Sequence, residues 1–197
     1  DFLSEKEIVY VERKGGIHIY DLEKGKDSLI ATLDVFSGLE DGLLGIAVDP
    51  NYKENNWVYL YYSENKNDNN QNLSRFKLAD YSLDLSSEKI LLQVETQRDE
   101  CCHSGGSVEF GPDGNLYLST GDNTSPRVDG FAPLDNSEGR SAWDAQKSAG
   151  NTNDLRGKIL RIKPEADGTY SIPKGNLFAE GTPKTRPEIY VMGNRNP

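Results

Sequence analysis

Residues 45–65, GIAVDPNYKENNWVYLYYSEN, decide the fold, because their layout returns at residues 106–123, GSVEFGPDGNLYLSTGDN. Both stretches show an apolar strand pattern, a proline, a polar turn, an aromatic-rich strand pattern and a polar loop. The two prolines, Pro50 and Pro112, are 62 positions apart. A repeat of this size is typical of a four-stranded β-propeller blade with long loops at one end. A β-sandwich of ordinary hairpins is the alternative that periodicity leaves open.

Period-two alternation of apolar and polar residues continues along much of the chain, as expected for half-buried strands. No amphipathic pattern of more than about ten residues predicts a long helix. The sequence therefore predicts an all-β chain, with strands at residues 8–12, 17–22, 28–35, 43–49, 56–63, 73–79, 89–95, 116–120 and 158–163.

The length of 197 residues holds about three such blades, whereas propellers close with about four to eight. An open half-ring would leave a bare sheet edge, so we interpret residues 1–197 as the N-terminal part of a longer propeller domain. The first residue is Asp1, which predicts either a removed signal peptide or a longer parent chain. Residues 123–156 form a long polar insertion, a class of loop that is often functional or disordered.

The charge balance excludes several kinds of partner. With 22 Lys and Arg against 32 Asp and Glu, the formal net charge is −10. No basic stripe is present that would neutralise nucleic-acid phosphates or an anionic membrane surface. No run approaches the roughly 18 apolar residues of a membrane-spanning helix. We therefore expect no nucleic-acid binding and no membrane insertion.

A hairpin within residues 99–123 predicts a paired histidine and carboxylate. With the turn at the Pro-Asp-Gly of residues 112–114, facing positions have numbers that sum to about 225. His103 and Asp122 satisfy this relation, so they should meet at one sheet end. A carboxylate on one ring nitrogen fixes the tautomer and leaves the other nitrogen as a general base. A purely structural His–Asp pair is the alternative.

Two glycines and the second histidine are interpreted differently. Gly105 and Gly106 follow His103 closely, and their missing side chains are expected to leave room for a flat ligand or substrate. His18 alternates with isoleucines inside a predicted strand and has no comparable carboxylate partner in the pattern. We expect it to be an ordinary sheet or surface residue.

The adjacent cysteines Cys101 and Cys102 allow three interpretations. Successive Cα atoms lie about 3.8 Å apart, below the roughly 4.4–6.8 Å of most disulfides, so a bond between neighbours closes a strained ring. Such strain is found near functional sites, and a disulfide is the interpretation that we favour. Two free thiols are the alternative. Zinc is disfavoured because the remaining ligands at suitable spacing are missing.

A separate group of oxygen-bearing residues lies in the insertion. Carboxylate and amide oxygens are the ligands that calcium prefers. The candidate ligands are Asp144, Asn151, Asn153 and Asp154. A solvated polar loop is the alternative interpretation.

Five motifs in order carry a family resemblance: EDGLLGIAVDPNY, NWVYLYYS, HSGGSVEFGPDGNLYLSTGDN, LRGKILRI and YVMGNRNP. They resemble the soluble glucose/sorbosone dehydrogenase family, the aldose sugar dehydrogenases that depend on pyrroloquinoline quinone (PQQ). The Cys-Cys-His variant resembles a bacterial branch often found in secreted multidomain proteins. The resemblance covers nearly the whole chain. It implies a six-bladed β-propeller with PQQ on its loop face, of which this chain is the first three blades or so.

The resemblance also implies roles for individual residues. His103 matches the family's general base for the sugar C1 hydroxyl, and Asp122 matches the carboxylate that orients it. Arg195 and Asn196 match the pair that contacts PQQ, where the arginine polarises the quinone carbonyl that accepts hydride. Glu40 stands where the family often has glutamine, and Asp41 follows it. Both are therefore expected near the substrate, with an altered hydrogen-bonding pattern.

The function implied is oxidation of an aldose to its lactone by a secreted or periplasmic quinoprotein. The family's main calcium ligands lie beyond the last residue here, so calcium is expected to be held mainly outside this chain. The partners implied are a sugar substrate and an electron acceptor that the sequence does not identify. The alternative is a non-catalytic propeller that serves as an extracellular protein- or carbohydrate-binding module.

Overall fold

The computed structural model describes residues 1–66, 69–127 and 133–197. Apart from a four-residue helix and one 3₁₀ turn, its regular structure consists of β-strands, and no helix in the described ranges is long and apolar enough to cross a membrane. The strands are β1 (Phe2–Ser4), β2 (Glu7–Val11), β3 (Gly16–Asp21), β4 (Lys26–Thr32), β5 (Leu43–Val48), β6 (Trp57–Ser63), β7 (Asn70–Ala79), β8 (Ser82–Glu95), β9 (Gly105–Phe110), β10 (Leu116–Thr120), β11 (Lys158–Pro164), β12 (Tyr170–Ser171) and β13 (Ile189–Met192). The helix α1 (Tyr52–Asn55) lies between β5 and β6, and the 3₁₀ turn is Ser141–Trp143.

The strands form three antiparallel sheets in chain order. The first contains β1 to β4 and the second β5 to β8, each with every strand beside its neighbour in sequence. The third contains β9, β10, β11 and β13, while β12 pairs with the far end of β11. The prediction of an all-β chain made of about three four-stranded units is confirmed, and the repeated stretches provide the first two strands of the second and third sheets.

Each predicted strand coincides with an observed one, and the largest boundary difference is at β8. The alternation predicted a start at residue 89, whereas the strand begins at Ser82. Its first half exposes polar residues such as Asp84 and Ser86, and in this half only Leu83, which faces Leu78 of β7, packs into the core. Among residues 84–88 only Leu85 is apolar and no side chain is buried, so the period-two pattern is interrupted there. This interruption explains the difference.

The middle sheet is buried on both faces. Along β6, Val58 and Leu60 pack into the core shared with the first sheet, while Tyr59 and Tyr61 pack into the core shared with the third. All four side chains are fully buried. Because successive strand residues point to opposite faces, a strand covered on both sides becomes continuously apolar, which accounts for the run WVYLYY.

Glycines allow the second and third sheets to approach closely. A Cβ atom at Gly45 would overlap the carbonyl oxygen of Gly106, and one at Gly106 would lie 2.5 Å from the Leu44 Cβ. A Cβ at Gly105 would lie 2.6 Å from the Gly121 nitrogen. The expectation that Gly105 and Gly106 leave room for a ligand is therefore wrong, because neighbouring protein atoms fill that space.

Candidate active site

The hairpin of β9 and β10 brings His103 and Asp122 together. Near the turn, Leu116 faces Phe110 and Leu118 faces Val108, pairs whose numbers sum to 226, while beyond an irregularity Thr120 faces Gly105. That one-residue shift continues to the end of the hairpin, where the His103 Nδ1 lies 2.8 Å from the Asp122 Oδ1. The predicted contact between the two side chains is therefore observed.

The ring of His103 is oriented as a proton acceptor. Both members of the pair are buried, with 5% of His103 and 2% of Asp122 exposed. Asp122 Oδ1 also accepts a hydrogen bond from the Thr124 N–H at 3.0 Å. An ionised carboxylate only accepts, so Nδ1 carries a proton, and in the neutral imidazole Nε2 then presents a lone pair. In the described ranges Nε2 has no hydrogen-bond partner, which leaves it available to a ligand.

The backbone around the pair is held in an unusual conformation. His103 has φ +59° and Asn123 has φ +54°, both in the left-handed region, where a non-glycine residue costs about 1–2 kcal/mol. The His103 carbonyl accepts the Asn123 N–H at 3.2 Å. Gly121 lies so close that a Cβ there would overlap the same carbonyl. Strain of this kind persists where the surroundings impose it, and it often marks functional sites.

The C-terminal segment closes over the hairpin at this point. The Arg195 carbonyl accepts the Asp122 N–H at 2.8 Å, and the Asn196 Oδ1 accepts the Gly105 N–H at 3.1 Å. Arg195 also lines a cavity of about 110 Å³ together with Thr124 and other residues. The structure therefore brings both predicted cofactor-binding residues next to the His–Asp pair.

Glu40 also reaches the site, although its observed contact is with the protein. Its Oε2 accepts the backbone N–H of His103 at 3.2 Å, and the residue is exposed to solvent. This contact joins two entry loops, the segments that lead into the first strands of the second and third sheets, β5 and β9. A role for Glu40 near a substrate remains a prediction, while its support of the His103 backbone is observed.

Asp41 lies in the interior instead. It is 6% exposed, and its Oδ1 accepts hydrogen bonds from Ser63 Oγ at 2.9 Å and Gln71 Nε2 at 2.8 Å. Its Oδ2 lies 3.4 Å from the Arg98 Nε. Because the carboxylate is engaged inside the protein, the structure does not support the predicted contact between Asp41 and substrate.

The candidate calcium ligands bind donors of their own loop. Asp144 is buried and accepts hydrogen bonds from Gln146, while Asp154 forms an ion pair with Arg156 at 2.6 Å. The Asn151 Oδ1 accepts the N–H of Asn153 at 2.9 Å. Both carboxylates therefore have partners in the protein, and calcium binding here stays a prediction that this arrangement does not favour. Residues 128–132 of the same insertion lie outside the described residues.

His18 does have a carboxylate partner, contrary to the expectation from sequence. Its Nδ1 lies 3.0 Å from the Asp27 Oδ2, and its ring stacks on Tyr10 with centroids 4.9 Å apart. Asp27 pairs with Tyr20 on β3, so it lies diagonally across from His18. The pairing depends on the register between β3 and β4, which local alternation does not reveal.

Lys158, inside the motif LRGKILRI, supports the loop next to Asp122, although the sequence analysis predicted no role for it. Its side chain is fully buried, and its Nζ donates hydrogen bonds to the carbonyls of Ser148, Ala149 and Arg156 at 2.8–3.1 Å. Burial lowers the pKa of the ammonium group from 10.5 to about 8. The neighbouring Gly157 N–H donates to the Gly121 carbonyl at 2.7 Å, so this loop is connected directly to the segment after β10 that carries Asp122.

Cys101 and Cys102 are bonded to each other immediately before His103. The oxidised state in solution is a prediction with a direct test. Alkylation of the denatured full-length protein without reductant should add no label at this pair, and prior reduction should add two. Mass spectrometry of the peptide that contains both cysteines measures the labels. Two labels without reductant would show free thiols and contradict the disulfide.

Comparison with known proteins identifies the family. A profile described as Glucose / Sorbosone dehydrogenase matches residues 1–197. The chain belongs to the glucose/sorbosone dehydrogenase family. The resemblance inferred from the five motifs is thus confirmed.

Two curated relatives of this chain are named for different roles, one for an interaction and one for an enzyme. Hedgehog-interacting protein of Homo sapiens is 29% identical over 173 residues, which cover 81% of this chain and 22% of that protein. Quinoprotein glucose dehydrogenase B of Acinetobacter calcoaceticus is 28% identical over 166 residues, which cover 80% of this chain and 32% of that protein. The chain therefore spans a third or less of the length of these two relatives.

Solved structures show the same fold. A candidate glucose dehydrogenase from Thermus thermophilus matches with a TM-score of 0.78 and 30% identity, over 100% of this chain and 51% of its own. The PQQ-bound aldose sugar dehydrogenase of Streptomyces coelicolor matches with a TM-score of 0.70 and 24% identity. This match covers 96% of this chain and 48% of that enzyme's chain. The three sheets thus correspond to about half of a propeller sugar dehydrogenase, as predicted.

Proposed function

We propose that this chain provides the catalytic base and part of the cofactor site of a PQQ-dependent sugar dehydrogenase that oxidises the C1 hydroxyl of an aldose to a lactone. The observation that carries the proposal is the buried His103–Asp122 pair, whose Nε2 has no partner in the described chain. The family assignment supports oxidoreductase chemistry. The names of relatives that include a quinoprotein and a PQQ-bound enzyme support the choice of cofactor.

The residues present suit a planar, polyanionic quinone. The guanidinium of Arg195 has no hydrogen bond or ion pair within the described ranges, and the buried Nδ2 of Asn194 lacks an acceptor. A free guanidinium fork and an unpaired amide donor are suited to carboxylate and carbonyl oxygens. Arg195, Asn196 and Asn194 are therefore the residues of this chain that would hold the cofactor. When bound, PQQ supplies the hydride acceptor.

His103 acts on the proton in this proposal. Its Nε2 takes the proton of the C1 hydroxyl. This hydroxyl becomes more acidic as the C1–H bond breaks and hydride leaves. Asp122 keeps the proton on Nδ1 and stabilises the imidazolium that forms. The Glu40 carboxylate holds the His103 backbone through its N–H. Arg195 would supply positive charge where negative charge develops in the transition state.

The test uses the full-length protein reconstituted with PQQ and calcium. A panel of aldoses is added with an artificial electron acceptor, and the absorbance of the quinone is followed. Reduction by at least one aldose is the expected result, and it would begin to define the substrate. Cofactor binding without reduction by any aldose would contradict the substrate class. Failure to bind PQQ would contradict the enzyme proposal itself.

A second candidate is a non-catalytic, extracellular binding module. The similarity to Hedgehog-interacting protein is the observation that favours it, because that relative is named for binding another protein. Such a module predicts no quinone binding and no effect of sugars on the absorbance in the same experiment. Calcium binding and an exported location belong to the first proposal and are tested by metal analysis and cell fractionation.

A further inference from the structure

A carboxylate and two sulfur atoms from distant parts of the chain meet beside His103. One carboxylate oxygen of Glu40 and the Sγ atoms of Cys101 and Cys102 all lie within 4.8 Å of one another. Glu40 is exposed, Cys101 is half-buried and Cys102 is buried, so the cluster opens to solvent on one side. Over the described ranges, no other set of three His, Cys, Asp or Glu side chains converges in this way.

The three groups match the donor set of a thiophilic metal ion. Zinc binds thiolate sulfur at about 2.3 Å and carboxylate oxygen at about 2.0–2.2 Å, so tetrahedral ligands lie roughly 3.3–3.8 Å apart. Once the S–S bond is broken, the two sulfur atoms must move apart from bonding distance to this spacing. The Glu40 oxygen, within 4.8 Å of both, must approach by on the order of 1 Å, which rotation about its side-chain bonds supplies. Water on the open side completes the fourth position. Two thiolates select soft ions such as Zn²⁺ and Cd²⁺ over Ca²⁺ and Mg²⁺.

We propose that the reduced Cys101–Cys102 pair and Glu40 form a binding site for a thiophilic divalent cation, which exists only when the disulfide is open. A phosphine reductant and water convert the S–S bond into two thiols and a phosphine oxide. The cation then displaces both thiol protons, and its own oxidation state does not change. The sequence missed this site because Glu40 is 61 positions before Cys101.

The site competes with an interaction of the protein itself. In the disulfide form, the Glu40 Oε2 accepts the backbone N–H of His103. A cation bound by the two thiolates draws the same carboxylate away from that N–H. The ring of His103 does not become a fourth ligand through Nδ1, because Nδ1 is held by Asp122. The oxidation state of the cysteine pair therefore determines whether Glu40 supports His103 or the cation.

The test measures binding of Cd²⁺ alone, without PQQ or sugar, so its outcome is independent of the proposed dehydrogenase activity. The full-length protein is reduced with a phosphine, freed of reductant under nitrogen and titrated with Cd²⁺. Ultraviolet charge-transfer absorption from thiolate to Cd²⁺ reports binding. We expect one ion per chain in the reduced protein and no such signal in the oxidised protein or in Cys101→Ser and Cys102→Ser.

Two carboxylate variants identify the third ligand. Glu40→Gln should weaken Cd²⁺ binding at least about tenfold. Glu100→Gln is the matched control, since Glu100 is next to Cys101 in sequence but is not in the cluster, and it should bind like the wild type. The proposal is overturned if the reduced protein shows no charge-transfer signal, if Glu40→Gln binds with unchanged affinity, or if circular dichroism shows that reduction unfolds the protein.

Discussion

His103→Ala is expected to lower kcat for aldose oxidation in the full-length, PQQ-reconstituted protein by about 10²–10⁴-fold, the usual contribution of a positioned general base. The substitution removes the Nε2 that takes the C1 hydroxyl proton and leaves Asp122 without its partner. The thermal unfolding midpoint should change by only a few degrees, because the ring lies at a sheet end outside the two apolar cores. Steady-state kinetics and circular dichroism measure the two effects.

The chain provides a matched control for this experiment. His18 is also bound to an aspartate at 3.0 Å, but it lies on the first sheet, away from the segment that contains Arg195. His18→Ala should leave kcat unchanged while removing a comparable His–Asp contact. Undiminished turnover in His103→Ala would refute the assigned base. An equal loss in both variants would show a general effect on the fold.

Lys158→Met is expected to lower the free energy of unfolding by about 1–3 kcal/mol. The ammonium group donates to the carbonyl oxygens of residues 148, 149 and 156. Methionine leaves the Arg156 carbonyl without a donor, while the Ser148 and Ala149 carbonyls keep the N–H groups of Asn151 and Gly193. Each unsatisfied buried acceptor costs about 1–3 kcal/mol, partly offset because an apolar side chain costs less to bury than a charge. Denaturant titration of the full-length protein measures the change, with a second probe to test two-state behaviour.

The difference in unfolding free energy between the wild type and Lys158→Met is expected to depend on pH. Burial lowers the pKa of Lys158 from 10.5 to about 8, so between these values the unfolded chain holds a proton that the folded protein has released. Stability rises with pH wherever the unfolded state binds more protons. The stability advantage of wild type over Lys158→Met should therefore increase from pH 8 to pH 10.5 and be smallest below pH 8.

Lys163→Met is the control for both measurements, because Lys163 is on the same strand and exposed. It should change stability by less than about 0.5 kcal/mol, as surface substitutions usually do. An equal loss in both variants would refute the stabilising role of the buried ammonium group. A stability difference that is flat between pH 8 and pH 10.5 would refute the lowered pKa.

Part of the site could be predicted because the interactions are local in the chain. His103 and Asp122 belong to one hairpin, and a Pro-Asp-Gly turn fixes which positions face each other. A single irregularity near Ser119 changes the sum of facing positions from 226 to 225, and His103 and Asp122 satisfy the changed sum. The repeat contained more information than the motifs used, since β5 begins at Leu43 and β9 at Gly105, an offset of 62 positions.

That offset makes Asp41 the positional equivalent of His103, so the two entry loops should lie at the same end of adjacent sheets. The repeat places Glu40 and the cysteine pair in these two loops, but the spacing does not bring their side chains together. It did not show that Asp41 points into the interior while Glu40 reaches the His103 backbone. Side-chain direction in a loop depends on backbone angles and on burial partners, which no spacing in the sequence specifies.

The sequence by itself determined the strands, the repeated four-stranded unit and the His103–Asp122 hairpin, because period-two alternation and turn chemistry act over a few residues. Only the tertiary structure decided that Lys158 is buried under three carbonyls, that Asp41 is internal and that Glu40 meets Cys101 and Cys102. These contacts join segments from different loops or sheets. Their geometry is set by how the sheets stack, and stacking depends on the shape of the whole core rather than on any local pattern.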